Sequence, residues 1–148
     1  VFYYNNTYTN YCSVHSWKNG ICVECNSIEE PQLVDNYYEI SSYGNLIWFQ
    51  RYVDAGNVNI NAKLTTNIVA NENLLDSSGN VQGTPKYNWT PIGRGYSSSS
   101  DSYNGVFDGI GYSISGLYSN GTENYCGFFG KMNKGTIKNL SIVGTRLS

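Results

Sequence analysis

Four side chains with soft donor atoms fall within fourteen positions: Cys12, His15, Cys22 and Cys25, spaced C-x2-H-x6-C-x2-C. His15 is the one histidine of the chain, and three of its four cysteines lie here. Zinc takes four thiolate or imidazole ligands in a tetrahedron, and an x2 spacing lets two ligands come from one tight turn. Asn19-Gly20 supplies a reversal between the two halves. Three clustered cysteines cannot all pair with one another, and Cys126 lies far along the chain. An oxidative alternative stays open: in an exported chain Cys12 could bond Cys22 or Cys25, leaving His15 on the surface. Four protein ligands leave no coordination position for water, so a metal here is structural rather than catalytic.

Other chemistry is thinly represented. Glycoside cleavage needs carboxylates converging on one groove. The acids of the Gly-rich region are Asp101, Asp108 and Glu123, and Asp108 sits in a Phe-Asp-Gly turn where its side chain is expected to bond backbone amides. The single histidine is tied to the cysteines, which removes Ser/His/Asp and Cys/His nucleophile arrangements. No strand–GxxxxGK–helix phosphate loop occurs. Lysines are scattered and the net charge is -2 with 14% charged residues, so no nucleic-acid partner is expected. The catalytic set is therefore empty, and no binding residues outside the metal cluster are assigned.

The elements that must position these residues read as short strands between turns. Residues 106–130 carry three runs separated by Gly, Asn and Ser: a strand ending at Asp108-Gly109, a second over residues 113–118 anchored by Ile114 and Leu117, and a third over 125–129. Ile137 and Leu140 repeat Ile114 and Leu117 23 residues on. A fixed period of this size with one apolar face per repeat points to stacked coils. Upstream, residues 27–36 form a polar connector broken by Pro31, and residues 38–40 a short strand. Ser41-Ser42 then offers an N-cap, Leu46, Phe49, Gln50 and Val53 fall at helical spacing, and Gly56 is a stop. That helix is expected to cap the first coil, with Ile47 or Trp48 at the margin of its apolar face. Residues 59–70 alternate as one long strand or two short ones. Residues 71–86 read as a loop, residues 89–93 restart the ladder, and Ser97–Ser100 is a loop tip. Residues 1–10 read as a strand with no evident partner, packed on its own domain or donated to a neighbour. No apolar run is long enough to span a membrane, and the opening VFYYNN lacks the features of a signal peptide. A start at Val suggests a mature, processed or recombinant fragment.

The series FDGxGxxISGLY…GxFG…GTIKNL resembles the GLUG-type repeats of bacterial cell-surface proteins, and YEIS…LxxF…VxxG…NAKLTTNI…WTPIG resembles their usual lead-in. The resemblance covers residues 38–148. The stretch from His15 to Cys25 is similar to small H-x-W-x-x-G-x-C-x-x-C knuckles of bacterial surface proteins. At Cys126 the GLUG-type pattern carries an aliphatic residue, so that thiol is expected in the core. The resemblance implies an all-β fold: a short right-handed parallel β-helix, or solenoid, with one capping α-helix and an N-terminal Cys/His knuckle arm. Its core would stack Ile114, Leu117, Phe128, Ile137, Leu140 and Ile142. Residues 1–36 would form the arm and connector, and residues 37–148 the repeat domain. The implied function is a non-catalytic structural or adhesive module of an extracellular or cell-surface protein. Alternatives are a self-assembling filament subunit and a carbohydrate-binding or polysaccharide-processing module. The expected cofactor is a structural zinc ion. Expected partners are a second copy, through the arm and an open C-terminal coil, or a host or matrix glycan or protein.

Overall fold

The computed structural model describes residues 2–4, 7–9, 12–93, 102–121 and 126–148 of the chain. Strands β1 (Phe2–Tyr4) and β2 (Thr7–Thr9) pair antiparallel with each other, so the arm supplies its own partner. Strands β3 (Trp17–Lys18) and β4 (Ile21–Cys22) form a second antiparallel hairpin. β5 (Gln32–Val34) lies inside the stretch expected to be a connector and pairs antiparallel with β6 (Tyr37–Ile40). Helix α1 (Tyr43–Asp54) follows, then β7 (Asn61–Leu64) and β8 (Ile68–Val69), two short strands where residues 59–70 alternate. β9 (Val106–Asp108), β10 (Ser113–Ser115) and β11 (Tyr118–Ser119) come next. The last three are β12 (Thr136–Lys138), β13 (Ser141–Val143) and β14 (Arg146–Leu147). Ser97–Ser100 and the start of the run at 125 lie outside the described residues.

The helix matches its sequence signals. The Ser42 side chain accepts from the Asn45 amide at 3.1 Å, satisfying one of the free N–H groups of the first turn. Leu46, Phe49 and Val53 are fully buried. The chain turns away at Gly56, whose φ of 116° suits a residue without Cβ. Trp48 stacks on Tyr52 with ring centroids 4.6 Å apart.

The expectation of an all-β right-handed β-helix is not met. The architecture is mixed α/β, with one helix and five separate sheets among the described residues. Two sheets are antiparallel hairpins, and the largest, in the order β12-β9-β7-β6-β5, is mixed because β5 runs against its neighbour. The 23-residue period fails at the level of register. Ile137 pairs with Phe107 rather than with Ile114, and Ile114 pairs with Ile142 and Ile68. Across the large sheet Tyr38, Ala62, Phe107 and Ile137 lie side by side, although the chain between successive partners varies widely in length. The constant spacing that a stacked repeat requires is therefore missing.

Those registers still give a continuous core. Phe107 is fully buried and packs edge-on against Phe49 of the helix (5.8 Å), Phe128 (5.4 Å) and Phe129 (5.5 Å). Tyr103 is buried too, and its hydroxyl donates to the Ile60 carbonyl at 2.8 Å, which meets the usual need of a buried phenol. Ile114, Leu117 and Phe128 lie in this core as expected. Ile137 and Ile142, also expected there, are 42% and 39% exposed because β12 and β13 are edge strands. Leu140 is half-buried at its margin. Cys126 is exposed rather than in the core, where Phe128 stacks on Trp89 at 5.3 Å and Phe129 on Tyr103 at 5.4 Å. Among the described residues, no helix is long and apolar enough to cross a membrane.

Candidate metal centre

Local sequence builds the knuckle in three steps. First, Asn19 and Gly20 take left-handed backbone angles (φ 52° and 75°), as a two-residue hairpin turn needs, and bring Trp17 opposite Cys22. Second, the chain closes a tight turn after Cys22: the Asn26 amide donates to the Cys22 carbonyl (2.9 Å) and the Val23 amide to the Ser16 carbonyl (3.0 Å). That turn returns Cys25 to the same side as Cys22. Third, the His15 ring stacks on Trp17 with centroids 4.6 Å apart, which fixes its plane.

All four predicted ligands meet. Their donor atoms lie within 4.8 Å of one another. The sulfurs of Cys12 and Cys22 are 3.7 Å apart, and Cys25 Sγ is 3.4 Å from His15 Nδ1. A tetrahedral ion held at about 2.3 Å by sulfur and about 2.0–2.1 Å by nitrogen has S···S edges of about 3.8 Å and S···N edges of about 3.6 Å. The two observed edges fit that figure, and these four side chains can hold a metal ion. In this structure Cys12, Cys22 and Cys25 are not joined to one another by a disulfide, and the Cys12 and Cys22 sulfurs stand 3.7 Å apart.

The electrostatics suit the same purpose. Burial works to raise the Cys22 thiol, but the hydrogen bond with His15 and the amides of Cys25, Ser16 and Glu24 bring it down to about 6. Contact with Cys12 and the Ser27 hydroxyl lowers Cys25 as well, against burial. The proton is retained elsewhere. Cys12 is pushed up to about 12 by the neighbouring Cys25 sulfur, by burial and by Cys22, and His15 is raised chiefly by its bond to Cys22, against burial. Two sulfurs are thus already disposed to be thiolates, the form a metal requires, and a bound cation would displace the remaining protons.

Three residues support the ligands in ways that their sequence positions do not show. Ser27 Oγ lies 3.1 Å from Cys25 Sγ, a contact of the kind that orients ligands from behind. Trp17 was seen only as part of a motif. Asn19 was read as a turn residue, yet it joins the knuckle to the helix. Its carbonyl accepts from the Gly44 amide (2.9 Å) and its Oδ1 from the Tyr43 amide (3.0 Å), while its Nδ2 donates to the Val69 carbonyl (2.8 Å). The hairpin tip therefore satisfies two free N–H groups at the start of α1. Gly20 and Gly44 make that approach possible, since a Cβ on either would collide with the backbone of the other. Nothing short of the fold could reveal this contact, because 24 residues separate its partners. No family model matches the chain, and no curated protein or solved structure matches it either.

Proposed function

We propose that the knuckle holds a structural zinc ion, and that the chain is a non-catalytic structural or adhesive module of a bacterial extracellular or cell-surface protein. The closed donor set of Cys12, His15, Cys22 and Cys25 carries this reading. Three thiolates and one imidazole in a compact tetrahedron suit zinc, and four protein ligands leave no open position for a reacting water. The site also sits where a structural ion is useful, at the joint between hairpin and helix. The surface setting rests on the motif resemblance and on a chain rich in Tyr, Asn and Ser and poor in charge. Elemental analysis and intact mass on protein purified without added metal test the ion together. One zinc per chain with four reduced thiols is the expected result. No metal, with two protons missing from the mass, would replace the ion with a disulfide.

A second reading, self-association into a filament, is favoured by charge. Residues 24–39 carry Glu24, Glu29, Glu30, Asp35 and Glu39 with no Lys or Arg, whereas residues 126–148 carry Lys131, Lys134, Lys138 and Arg146 with no Asp or Glu. β5 and β12 are the opposite edges of one sheet, with Leu33 and Ile137 exposed on them. Head-to-tail contact between such edges need not close, and its electrostatic part weakens with salt. Light scattering that rises with concentration at low salt and falls at high salt supports this reading; a monomer at every concentration and ionic strength removes it.

A further inference from the structure

Two cavities flank the knuckle and share a wall. The smaller, of 270 Å³, is a half-open cleft lined by Asn26 of the knuckle, Tyr43 and Arg51 of the helix, and the segment from Lys86 to Trp89. The larger, of 480 Å³, continues on the far side of Lys86 and Tyr87, past Gln82 and Thr84. Asn71 fixes the dividing segment: its Oδ1 accepts from the Lys86 and Tyr87 amides, and its Nδ2 donates to the carbonyls of Tyr87 and Gly116. Asn71 is itself buried with its amide fully used, so this wall is built before any ligand arrives.

The smaller cavity has an unusual chemical balance. Arg51 and Lys86 line it, and among the described residues no carboxylate does. Its aromatic wall is formed by Tyr43, with Tyr87 at 5.4 Å and Trp89 at 6.3 Å between ring centroids. Tyr43 is 1% exposed, and its hydroxyl has no hydrogen-bond partner among the described residues. Burial holds that hydroxyl well above its ordinary ionisation range, with Tyr87 adding to the effect and Arg51 opposing it, so it stays a neutral O–H donor. A buried phenol normally finds an acceptor. The Tyr43 oxygen is not sealed from solvent, so an acceptor entering the cavity would replace water there, beside two cations.

We propose that this cavity binds the carboxylate-bearing end of an acidic sugar, of the hexuronate class. The carboxylate would accept from the Tyr43 hydroxyl and pair with Arg51 and Lys86. The Lys86 ammonium lies 5.3 Å over the Tyr87 ring, which holds that cation at the cavity. The ring face it leaves open would meet the C–H side of a pyranose, and the exposed amides of Asn26 and Asn88 suit its hydroxyls. The volume lies just under the roughly 300 Å³ at which drug-sized ligand pockets begin, which fits one sugar ring. A second ring of the same chain would pass Lys86 into the larger cavity, with its carboxylate toward Lys18 and away from Glu72, both of which line that cavity. A carboxylate on an acidic peptide would use the cations but leave the ring and amide walls without partners. The proposal does not depend on which ion the knuckle holds.

The test is a titration of the ¹⁵N-labelled protein, followed by amide and indole shifts, with galacturonate, trigalacturonate, galactose, acetate and a poly-glutamate peptide. Saturable shifts at Tyr43, Arg51, Tyr87 and Trp89 are expected with galacturonate. Trigalacturonate should bind more tightly and add shifts at Gln82 and Thr84, while galactose should bind about tenfold more weakly for want of the charge. Tyr43→Phe removes the hydroxyl alone and should weaken binding about fivefold with an unchanged melting temperature. Arg51→Gln and Lys86→Gln should weaken it at least as much and flatten its salt dependence. Absence of saturable shifts at these residues overturns the proposal. Acetate as effective as galacturonate would mean an adventitious anion only, and equal binding of galactose, tighter binding of poly-glutamate, or wild-type affinity in Tyr43→Phe would each overturn it too.

Discussion

The knuckle, residues 12–28, and the parallel ladders of the later strands solve the same problem with different means. The knuckle buries only Ile21, Cys22 and Cys25 among its apolar residues, while Val14, Trp17 and Val23 stay exposed. Such a short loop cannot remove enough apolar surface from water to offset the entropy of ordering it. Its order must come from four converging donor atoms and from the hydrogen bonds that Asn19 makes to the helix. The ladders hold no such cluster among the described residues. They bury Phe107, Ile114, Leu117 and Phe128 against α1, with aromatic edges meeting aromatic faces. On the proposed reading one region is conditional on an ion, whereas the other is held by shape and buried area.

The sharpest way to break that contrast is to remove the ion. In zinc-finger peptides the metal contributes about 10–16 kcal/mol, which is the whole folding free energy of so small a unit. Cys22→Ser, or chelation of the wild type, should abolish metal binding and expose the amides of Gly44, Glu29 and Val23 to hydrogen exchange. The amides of Tyr103, Gly109 and Thr136 should stay protected. Collapse of both sets together would show that the regions are one cooperative unit.

The converse perturbation belongs to the ladders. Phe107→Ala should cost about 3–5 kcal/mol and Leu117→Ala about 2–5 kcal/mol in chemical denaturation, because both side chains are fully buried. Ile142→Ala, at an exposed edge position, should cost less than about 1 kcal/mol. Metal content should be unchanged in all three variants. An Ile142 effect as large as that of Leu117 would mean that the last strand is covered in solution.

Between the two regions lies their joint. Ser42→Ala removes one acceptor from the helix start and should cost about 1 kcal/mol. Asn19→Ala loses the Oδ1 bond to Tyr43 and the Nδ2 bond to Val69 but keeps the carbonyl bond to Gly44. Its cost should be larger, about 2–3 kcal/mol, because Ala also resists the left-handed φ of 52°, and it should also loosen the metal, which Ser42→Ala should not. Zinc affinity measured by competition with a chromophoric chelator separates the two.

How much of this could be read in advance follows the range of the interactions. The ligands Cys12, His15, Cys22 and Cys25 were legible because their spacing is local and the turn between them is carried by Asn19-Gly20. The helix was legible because its cap, apolar stripe and stop all lie within sixteen residues of sequence. The sheet register was not. Ile137 and Leu140 repeat Ile114 and Leu117 by eye, but pairing is decided by which apolar residue meets which across long intervening loops. Phe107, with three aromatic neighbours from distant segments, fixes the alignment of β12 instead. The expected burial of Cys126 fails for the same reason: Phe128 and Phe129 of the same run pack at the core while Cys126 stays exposed.

The smallest expected effect concerns charge at the edge of the ladders. Glu39, Lys63, Asp108 and Lys138 occupy adjacent positions across β6, β7, β9 and β12, so unlike charges alternate over the sheet. Lys63 lies 3.6 Å from Glu39, and Lys138 3.8 Å from Asp108. Burial acts to raise the Asp108 carboxyl, but the Ile110 amide, the Asn139 side chain and Lys138 hold it below the usual carboxylate value. A carboxyl lowered in the folded state contributes stability above its unfolded value, about 3.9, and loses it as pH falls through the folded value. Lys138 is half exposed, so the ion pair is screened and contributes about 0.2–1 kcal/mol at most. The Asx turn that orders Ile110, whose φ is 53°, is the larger part of the role of Asp108. Asp108→Asn keeps an acceptor for the Ile110 amide and removes only the charge. It should therefore leave neutral-pH stability within about 1 kcal/mol of wild type and flatten the fall in melting temperature below pH 4. Asp108→Ala removes the turn bond as well and should lose more at every pH. Equal losses in the two variants would place the contribution of Asp108 in its charge rather than in its turn.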